Sequence, residues 1–307
     1  MRVVQCFFLR QTFRPIYILK MLVASMMQWK AIFPEDEGAL YVDLDSWKIV
    51  ESILEENALK IPWKSVVIQD YKERVPQFQA YHDATRFAVC LDQKESYVFL
   101  DPDIFVFPEF KTKELLKARE DVETATEDNR FYTYTRFRAW SPILNLQRDL
   151  PGSVRSILNY WDGTVEPTML NTGFFIVTPG LGQKLSQEVL KVQLEFYRTG
   201  IYSPAKHEFS SSIVPLLYMN SVNIPCRLIP SPGLIHTYQN LDVAFNIVPP
   251  LSSRERDFYG SDFDREHRLA FYENFCSYVF YEGRASLIDF ANVRKELANG
   301  KRRLNLV

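Results

Sequence analysis

This 307-residue sequence shows no pattern of a leader peptide or a membrane span, no cysteine framework and no strong net charge, so proteins built on those features are not expected. Met1 runs straight into the strand-like Val3-Val-Gln-Cys-Phe-Phe8, without the charged region, apolar region and cleavage site of a secretory signal. The apolar stretch Ile16 to Trp29 is interrupted by Lys20 and is too short to cross a bilayer. Cys6, Cys90, Cys226 and Cys276 are scattered, with neither a C-x-x-C pair nor metal-ligand spacing, so they read as reduced core thiols. No N-x-[ST] acceptor is present, and the expected location is cytoplasmic. With 36 basic and 38 acidic residues and a net charge of −2, the composition gives no electrostatic argument for a nucleic-acid or anionic-membrane partner. The one basic cluster, Arg294, Lys295, Lys301, Arg302 and Arg303, reads as the solvated end of a C-terminal helix. Internal repeats, low-complexity tracts and a clean linker are also missing.

What is there is a core. Hydrophobic residues make up 47% of the chain and aromatic residues 14%, which excludes wholesale disorder. The first half alternates strand-like and helix-like stretches, the signature of βαβ units around a mostly parallel sheet in an α/β fold. Strands are predicted over 2–9, 39–44, 65–69 and 97–100, and helices over 15–30, 47–59 and 77–91. Thr112 to Glu120 reads as a short helix, 131–137 as a strand and 138–162 as irregular. Thr168 to Val177 reads as one apolar strand. Gly180-Leu-Gly182 precedes a helix over 184–198, and 207–219 is a helix candidate broken by Pro215. A last helix is expected near Leu287 to Leu297.

Ser96-Tyr-Val-Phe-Leu-Asp-Pro-Asp-Ile-Phe-Val-Phe107 is the most informative stretch. Tyr97 to Leu100 is a continuous, short, aromatic and branched apolar run, the pattern of a strand buried on both faces. Pro102 has no amide hydrogen, so the strand is predicted to stop there. Asp101 and Asp103 then stand at its carboxyl end, where open α/β sheets bind their ligands. Buried carboxylates need a compensating cation or water, and hard oxygen donors suit Mg²⁺ or Mn²⁺. Asp-Pro-Asp is equally good turn chemistry. Tyr41-Val-Asp-Leu-Asp-Ser46 has the same acidic spacing, but it alternates like a half-exposed edge strand or a solvated strand end, and Asp43 and Asp45 read as structural.

Four further features accompany the acidic pair. Asp83 and Arg86 are three residues apart and share a helix face just upstream, where Arg86 would neutralise a diphosphate or simply form an ion pair. Asn171-Thr-Gly173 interrupts an apolar strand, which marks either a close ligand approach or a bulge with a self-satisfied amide. Glu208, in Lys206-His-Glu-Phe-Ser-Ser-Ser212, is either a helix-end carboxylate or a catalytic group. His236, after an apolar stretch, is either a packed side chain or a third metal ligand.

Asp83-Ala-Thr-Arg86, Tyr97 to Val106 and Leu170-Asn-Thr-Gly-Phe-Phe-Ile-Val177, in that order, resemble the nucleotide-sugar glycosyltransferases of the GT-A fold. The similarity is closest to the glycogenin-like family 8 and the neighbouring Asp-x-Asp sugar transferases, and it covers residues 1–180 best. It implies a GT-A-like single α/β domain, its mostly parallel central sheet flanked by helices, with a smaller C-terminal acceptor-side subdomain. Residues 1–180 would form the donor half and residues 181–307 the acceptor-side and C-terminal helical region. By the same resemblance Asp101 and Asp103, with His236 as third ligand, would hold Mn²⁺ or Mg²⁺. Arg86 and Asp83 would meet the diphosphate and sugar of the donor, a UDP-sugar being favoured. Phe8, Arg10, Gln11 and Thr12 would border the nucleoside. Asn171 would line the sugar pocket, and Glu208 and Asn171 would be the catalytic candidates at the face of the anomeric carbon. The implied activity is hexosyl or pentosyl transfer to a hydroxyl acceptor, by default a glycan, with retention as the family-like course. Pro102 between the two aspartates, the Phe and serines after Glu208, and the lack of a His-x-x-Gly-x-x-Lys-Pro-Trp segment depart from the family pattern.

Two rival functions use the same residues. A haloacid-dehalogenase-like phosphatase also ends a buried strand in Asp-x-Asp, with the first Asp as nucleophile and the second as acid/base. That motif usually opens its domain and is followed by Gly-Thr or a hydroxyl residue, whereas Ile104-Phe105 follow here. A non-catalytic nucleotide- or sugar-binding protein is the other. For the acceptor, modified DNA and a protein side chain stand beside a glycan.

Overall fold

The computed structural model describes residues 1–8, 15–56, 60–71, 74–79, 83–102, 104–200 and 203–236. In chain order the strands and helices begin with β1 (Arg2–Phe7), α1 (Pro15–Ile32), β2 (Glu37–Val42), α2 (Leu44–Glu56) and β3 (Ser65–Ile68). A 3₁₀ turn, Pro76–Gln79, precedes α3 (Ala84–Leu91), β4 (Tyr97–Leu100) and β5 (Ile104–Val106). Next come α4 (Lys113–Glu123), β6 (Phe131–Thr133), β7 (Arg136–Arg138), α5 (Ser141–Arg148) and α6 (Gly152–Ile157). Then follow β8 (Thr168–Leu170), β9 (Phe174–Val177), α7 (Pro179–Arg198) and α8 (Pro204–Glu208). One π-helical turn, Phe209–Ile213, leads to α9 (Val214–Ser221), β10 (Arg227–Leu228) and β11 (Leu234–His236).

Seven strands form the central sheet in the order β10-β6-β9-β4-β1-β2-β3. It is mostly parallel, and β9 alone runs against its neighbours β4 and β6. The apolar runs that looked doubly buried are so, because alternate residues enter different cores. On one face Val3 and Phe7 of β1, Val98 and Leu100 of β4, and Phe174 and Ile176 of β9 pack with α1, α2 and α4. On the other, Val4 and Cys6, Tyr97 and Phe99, and Phe175 and Val177 pack with α3 and α5 to α9. Phe175 is stacked between Phe99 and Phe131, at ring-centroid distances of 5.1 and 5.6 Å. The result is an α/β fold with helices on both faces of the sheet. Among the described residues no helix is long and apolar enough to cross a membrane.

Several sequence expectations need correction. β2 is interior, between β1 and β3, and Asp43 is buried rather than solvated. Its carboxylate is structural, as expected: Oδ1 accepts from the Ser46 N–H at 2.7 Å at the start of α2. The helix expected over 77–91 is a 3₁₀ turn followed by α3, with Asp83 at the N-cap. Strand 131–137 is divided into β6 and β7, and 168–177 into β8 and β9. The irregular 138–162 contains α5 and α6, which were hidden by their brevity and by prolines that sit in or just before their first turns. Gly180 and Gly182 lie inside α7, not before it. A Cβ on Gly182 would come 2.5 Å from the Tyr97 hydroxyl, so the helix approaches the sheet only with glycine there. Pro215 does not break the last helical stretch, because it sits in the first turn of α9, just after the widened π turn. The helix expected near 287–297 lies outside the described residues.

Gly38 on β2 faces the Trp63 ring, and a Cβ there would lie 2.0 Å from Cδ2. Trp63 is buried, so the ring has nowhere cheap to go. Gly38→Ala is expected to destabilise the protein by about 1–3 kcal/mol, the usual range for overpacking, read as a lower urea midpoint.

Candidate functional site

The strand order carries a switch point. From β1 the chain moves outward through α1 to β2 and β3, then returns through α3 to place β4 on the other side of β1. Crevices for ligands open at the carboxyl ends of such a strand pair. Phe8 follows β1 there, and Asp101 follows β4. All four β4 residues are fully buried, and Asp101 itself is only 8% exposed.

Asp101 is held from three sides. Its N–H donates to the Gly173 carbonyl at 2.7 Å, and its carbonyl accepts the Ile104 N–H at 3.1 Å, closing the turn Asp101 to Ile104. Its Oδ2 accepts from Arg86 Nη2 at 2.8 Å. Arg86 Nη1 donates to both the carbonyl and the hydroxyl of Thr172, each at 3.0 Å. The guanidinium also lies 5.3 Å from the Phe99 ring centroid. One cation therefore joins α3, the acidic turn and the Asn171–Gly173 segment, and its planar fork suits that task. Because β9 is antiparallel, its first residue, Phe174, pairs with Leu100, which delivers Thr172 and Gly173 to the same edge of the sheet.

Asn171 is buried. Its Oδ1 accepts the Gly173 N–H at 2.8 Å, its Nδ2 donates to the Tyr134 hydroxyl, and its carbonyl accepts from Thr133 Oγ1 at 3.0 Å. These bonds replace the ladder that the interrupted strand loses and shape the turn that presents Thr172 to Arg86.

Asp83 is buried and faces the second half of the chain. Its Oδ1 accepts from Gln193 Nε2 of α7 at 2.8 Å and lies 3.6 Å from His207 Nδ1 of α8. Glu208 ends α8 at the π turn and is partly exposed, and its Oε2 accepts from Ser212 Oγ at 3.1 Å. A π turn widens a helix by one residue and often accompanies a functional site. Phe8 meets the Tyr71 ring edge-on, at a centroid distance of 5.2 Å.

Arg10, Gln11, Thr12 and Asp103 lie outside the described residues, as does the side chain of His236. The backbone of His236 is described, and β11 pairs antiparallel with β5 so that His236 stands opposite Ile104, the residue after Asp103. Among the described residues no three His, Cys, Asp or Glu gather to hold a metal ion. A hard divalent cation would share the Asp101 carboxylate with Arg86, and its further oxygen and nitrogen donors would be Asp103, which follows in the chain, and His236, whose backbone stands in register with Ile104.

Burial pushes the Cys6 thiol well up and that of Cys90 up to about 12, so both stay neutral and neither is a nucleophile. Cys6, Cys90 and Cys226 are free, as the composition predicts. Two clefts among the described residues, lined by Arg2 with Lys94, Glu95 and Thr178 and by Arg2 with Glu37 and Lys64, lie at the opposite edge of the sheet.

No protein-family model and no curated protein matches the chain. Solved structures do. The galactosyltransferase LgtC, in complex with donor and acceptor sugar analogues, is similar over 85% of this chain and 96% of its own, at 12% identity and a TM-score of 0.41. Mouse xyloside xylosyltransferase 1 is similar over 74% of this chain and 84% of its own, at 11% identity and a TM-score of 0.39. The mannosyltransferase Ktr4p from S. cerevisiae, in complex with GDP, is similar over 68% and 66%, at 10% identity and a TM-score of 0.39. Likeness at this level assigns no residue of this chain a role.

The sequence singled out Asp83, Arg86 and Asn171 as candidates but not the side chains that hold them in the fold. Thr172, Tyr134, Gln193 and His207 become neighbours only through the insertion of β9 and the return of α7 and α8. Gln193, a polar residue on the buried face of an amphipathic helix, is the one signal the sequence offered.

Proposed function

We propose that the protein is a metal-dependent glycosyltransferase that moves a sugar from a nucleotide diphosphate sugar, a UDP-sugar being favoured, to a hydroxyl acceptor, by default a glycan. One observation supports this above the rest: the acidic turn stands at the switch point of a doubly wound sheet, with Asp101 paired to Arg86. Residues 1–180 form the donor half in this reading, and 181–307 the acceptor side. Asp101, Asp103 and His236 would hold Mn²⁺ or Mg²⁺, which when bound supplies charge neutralisation to the leaving diphosphate.

The chain's own residues then do the following. Arg86 fixes the orientation of Asp101 and, with Asp83, stands beside the diphosphate and sugar. Phe8, Arg10, Gln11 and Thr12 border the nucleoside. Glu208 faces the anomeric carbon, where a carboxylate steadies the oxocarbenium-like charge that develops as the glycosidic bond to the diphosphate breaks. Asn171 lines the sugar pocket and keeps Thr172 and Gly173 in place. Retention of anomeric configuration is the expected course.

The phosphatase alternative is not favoured, because the acidic pair follows the fourth strand rather than opening the domain. Release of nucleotide from a panel of nucleotide sugars, with and without Mn²⁺, tests the proposal. One donor is expected to turn over only with metal, and Asp103→Asn is expected to abolish that turnover. Full metal-dependent turnover by Asp103→Asn would contradict the site assignment.

A further inference from the structure

A line of buried polar groups crosses the apolar layer beneath the acidic turn. Trp63 Nε1–H donates to Gln5 Oε1 at 2.8 Å. Gln5 Nε2–H donates to Ser25 Oγ at 3.3 Å, and Ser25 Oγ–H donates to the Ile104 carbonyl at 2.6 Å. Gln5 and Ser25 are fully buried, Trp63 is 6% exposed and Ile104 is fully buried. Gln5 is the one strongly polar side chain in the interior of β1, and Ser25 lies among the apolar residues of α1. Polar groups so placed must be satisfied, and here each is satisfied by the next. The bonds have one direction: the indole fixes which end of the amide faces the hydroxyl, and the amide leaves the hydroxyl proton only the carbonyl to meet. Gly38 is what allows the indole to lie where it starts the line.

The line ends on Ile104, the residue that follows Asp103 in the chain. Ile104 is then held at both polar backbone atoms, its N–H by the Asp101 carbonyl and its C=O by Ser25. The turn is thus pinned at its first residue by Arg86 and Gly173, and at its last by Ser25 and the pairing of β5 with β11. Arg86 and Gly173 reach it from the α3 face and β9. Ser25 reaches it from the opposite face of the sheet, through α1.

We propose that Ser25, oriented by Gln5 and Trp63, is a positioning residue for the turn that begins at Asp101, setting the geometry in which the Asp101 carboxylate meets a divalent cation. This rests on the metal-dependent reading above. Groups that hold metal-bearing carboxylates in place commonly govern affinity by about 10–100-fold.

The test measures Mn²⁺ affinity of the full chain by electron paramagnetic resonance, with and without UDP, in wild type, Ser25→Ala, Ser25→Thr and Trp63→Phe. Thermal melts of the same samples report folding. Ser25→Ala is expected to bind Mn²⁺ about 10–100-fold more weakly and to broaden the bound signal, whereas Ser25→Thr, which keeps the hydroxyl, recovers most of the affinity. Trp63→Phe keeps the ring and the serine, and a smaller loss in the same direction is expected. It carries the test should Ser25→Ala fail to fold. Equal Mn²⁺ affinity in wild type and the folded variants would overturn the role of Ser25 and leave the metal reading standing. A wild type that binds no Mn²⁺ under either condition would overturn both.

Discussion

Arg86→Met is expected to lower the unfolding free energy by about 3–5 kcal/mol, measured by urea denaturation. The side chains of Arg86 and Asp101 are 15% and 11% exposed, so removing the cation leaves a carboxylate that water compensates poorly. The same substitution strips donors from the Thr172 carbonyl and hydroxyl, which loosens the segment that carries Asn171 and Gly173. The double variant Arg86→Met, Asp101→Asn removes both charges together and is expected to regain much of the loss, because breaking a buried pair costs more than deleting it whole. A single-variant loss below about 1 kcal/mol would mean that the pair behaves like an exposed surface bridge.

Glu208→Gln is the second large effect, and it falls on rate instead of stability. Glutamine keeps the shape of the side chain and an oxygen to accept the Ser212 hydroxyl, so the fold around the π turn is expected to survive. What is lost is the negative charge that the proposed function sets against the anomeric carbon. A fall in kcat of about 10²–10⁴-fold is expected, the span typical of a group acting directly on the reacting centre, with nucleotide affinity unchanged. A parallel fall in nucleotide affinity would move Glu208 to the donor site. Unchanged kcat would remove it from the chemistry.

Local pattern carried most of the central sheet. β4 and β9 are short continuous apolar runs and β1 is one but for Gln5, and helices covering both faces of a mostly parallel sheet explain why their polar alternation is missing. The stop at Pro102 and the position of Asp101 at the end of β4 followed from a proline's missing N–H and a carboxylate's hydration, both local facts. The break at Asn171–Gly173 was visible as an anomaly, but its purpose was not. An antiparallel strand inserted between β4 and β6 is a long-range choice, and it alone brings Thr172 to Arg86 and Gly173 to Asp101. The glycines inside α7 were misread for a similar reason: the Tyr97 hydroxyl that demands a small residue at Gly182 is far away in the chain. Asp83 shows the same limit. Its spacing from Arg86 put the two on one helix face but did not reveal their partners in the fold: Arg86 bonds Asp101, and Asp83 bonds Gln193 of α7 and lies near His207 of α8. The line from Trp63 to Ile104 left only a polar residue inside an apolar strand, at Gln5, as its trace in the sequence.

The most direct test of the account is a thermal-shift panel of UDP, GDP, CDP and ADP, each with and without Mn²⁺, on wild type and Asp103→Asn. One nucleotide, UDP first among them, is expected to stabilise the wild type only when Mn²⁺ is present, and Asp103→Asn is expected to lose the shift. A panel in which no nucleotide moves the wild-type melting point with metal, or in which Asp103→Asn responds as wild type does, would contradict it.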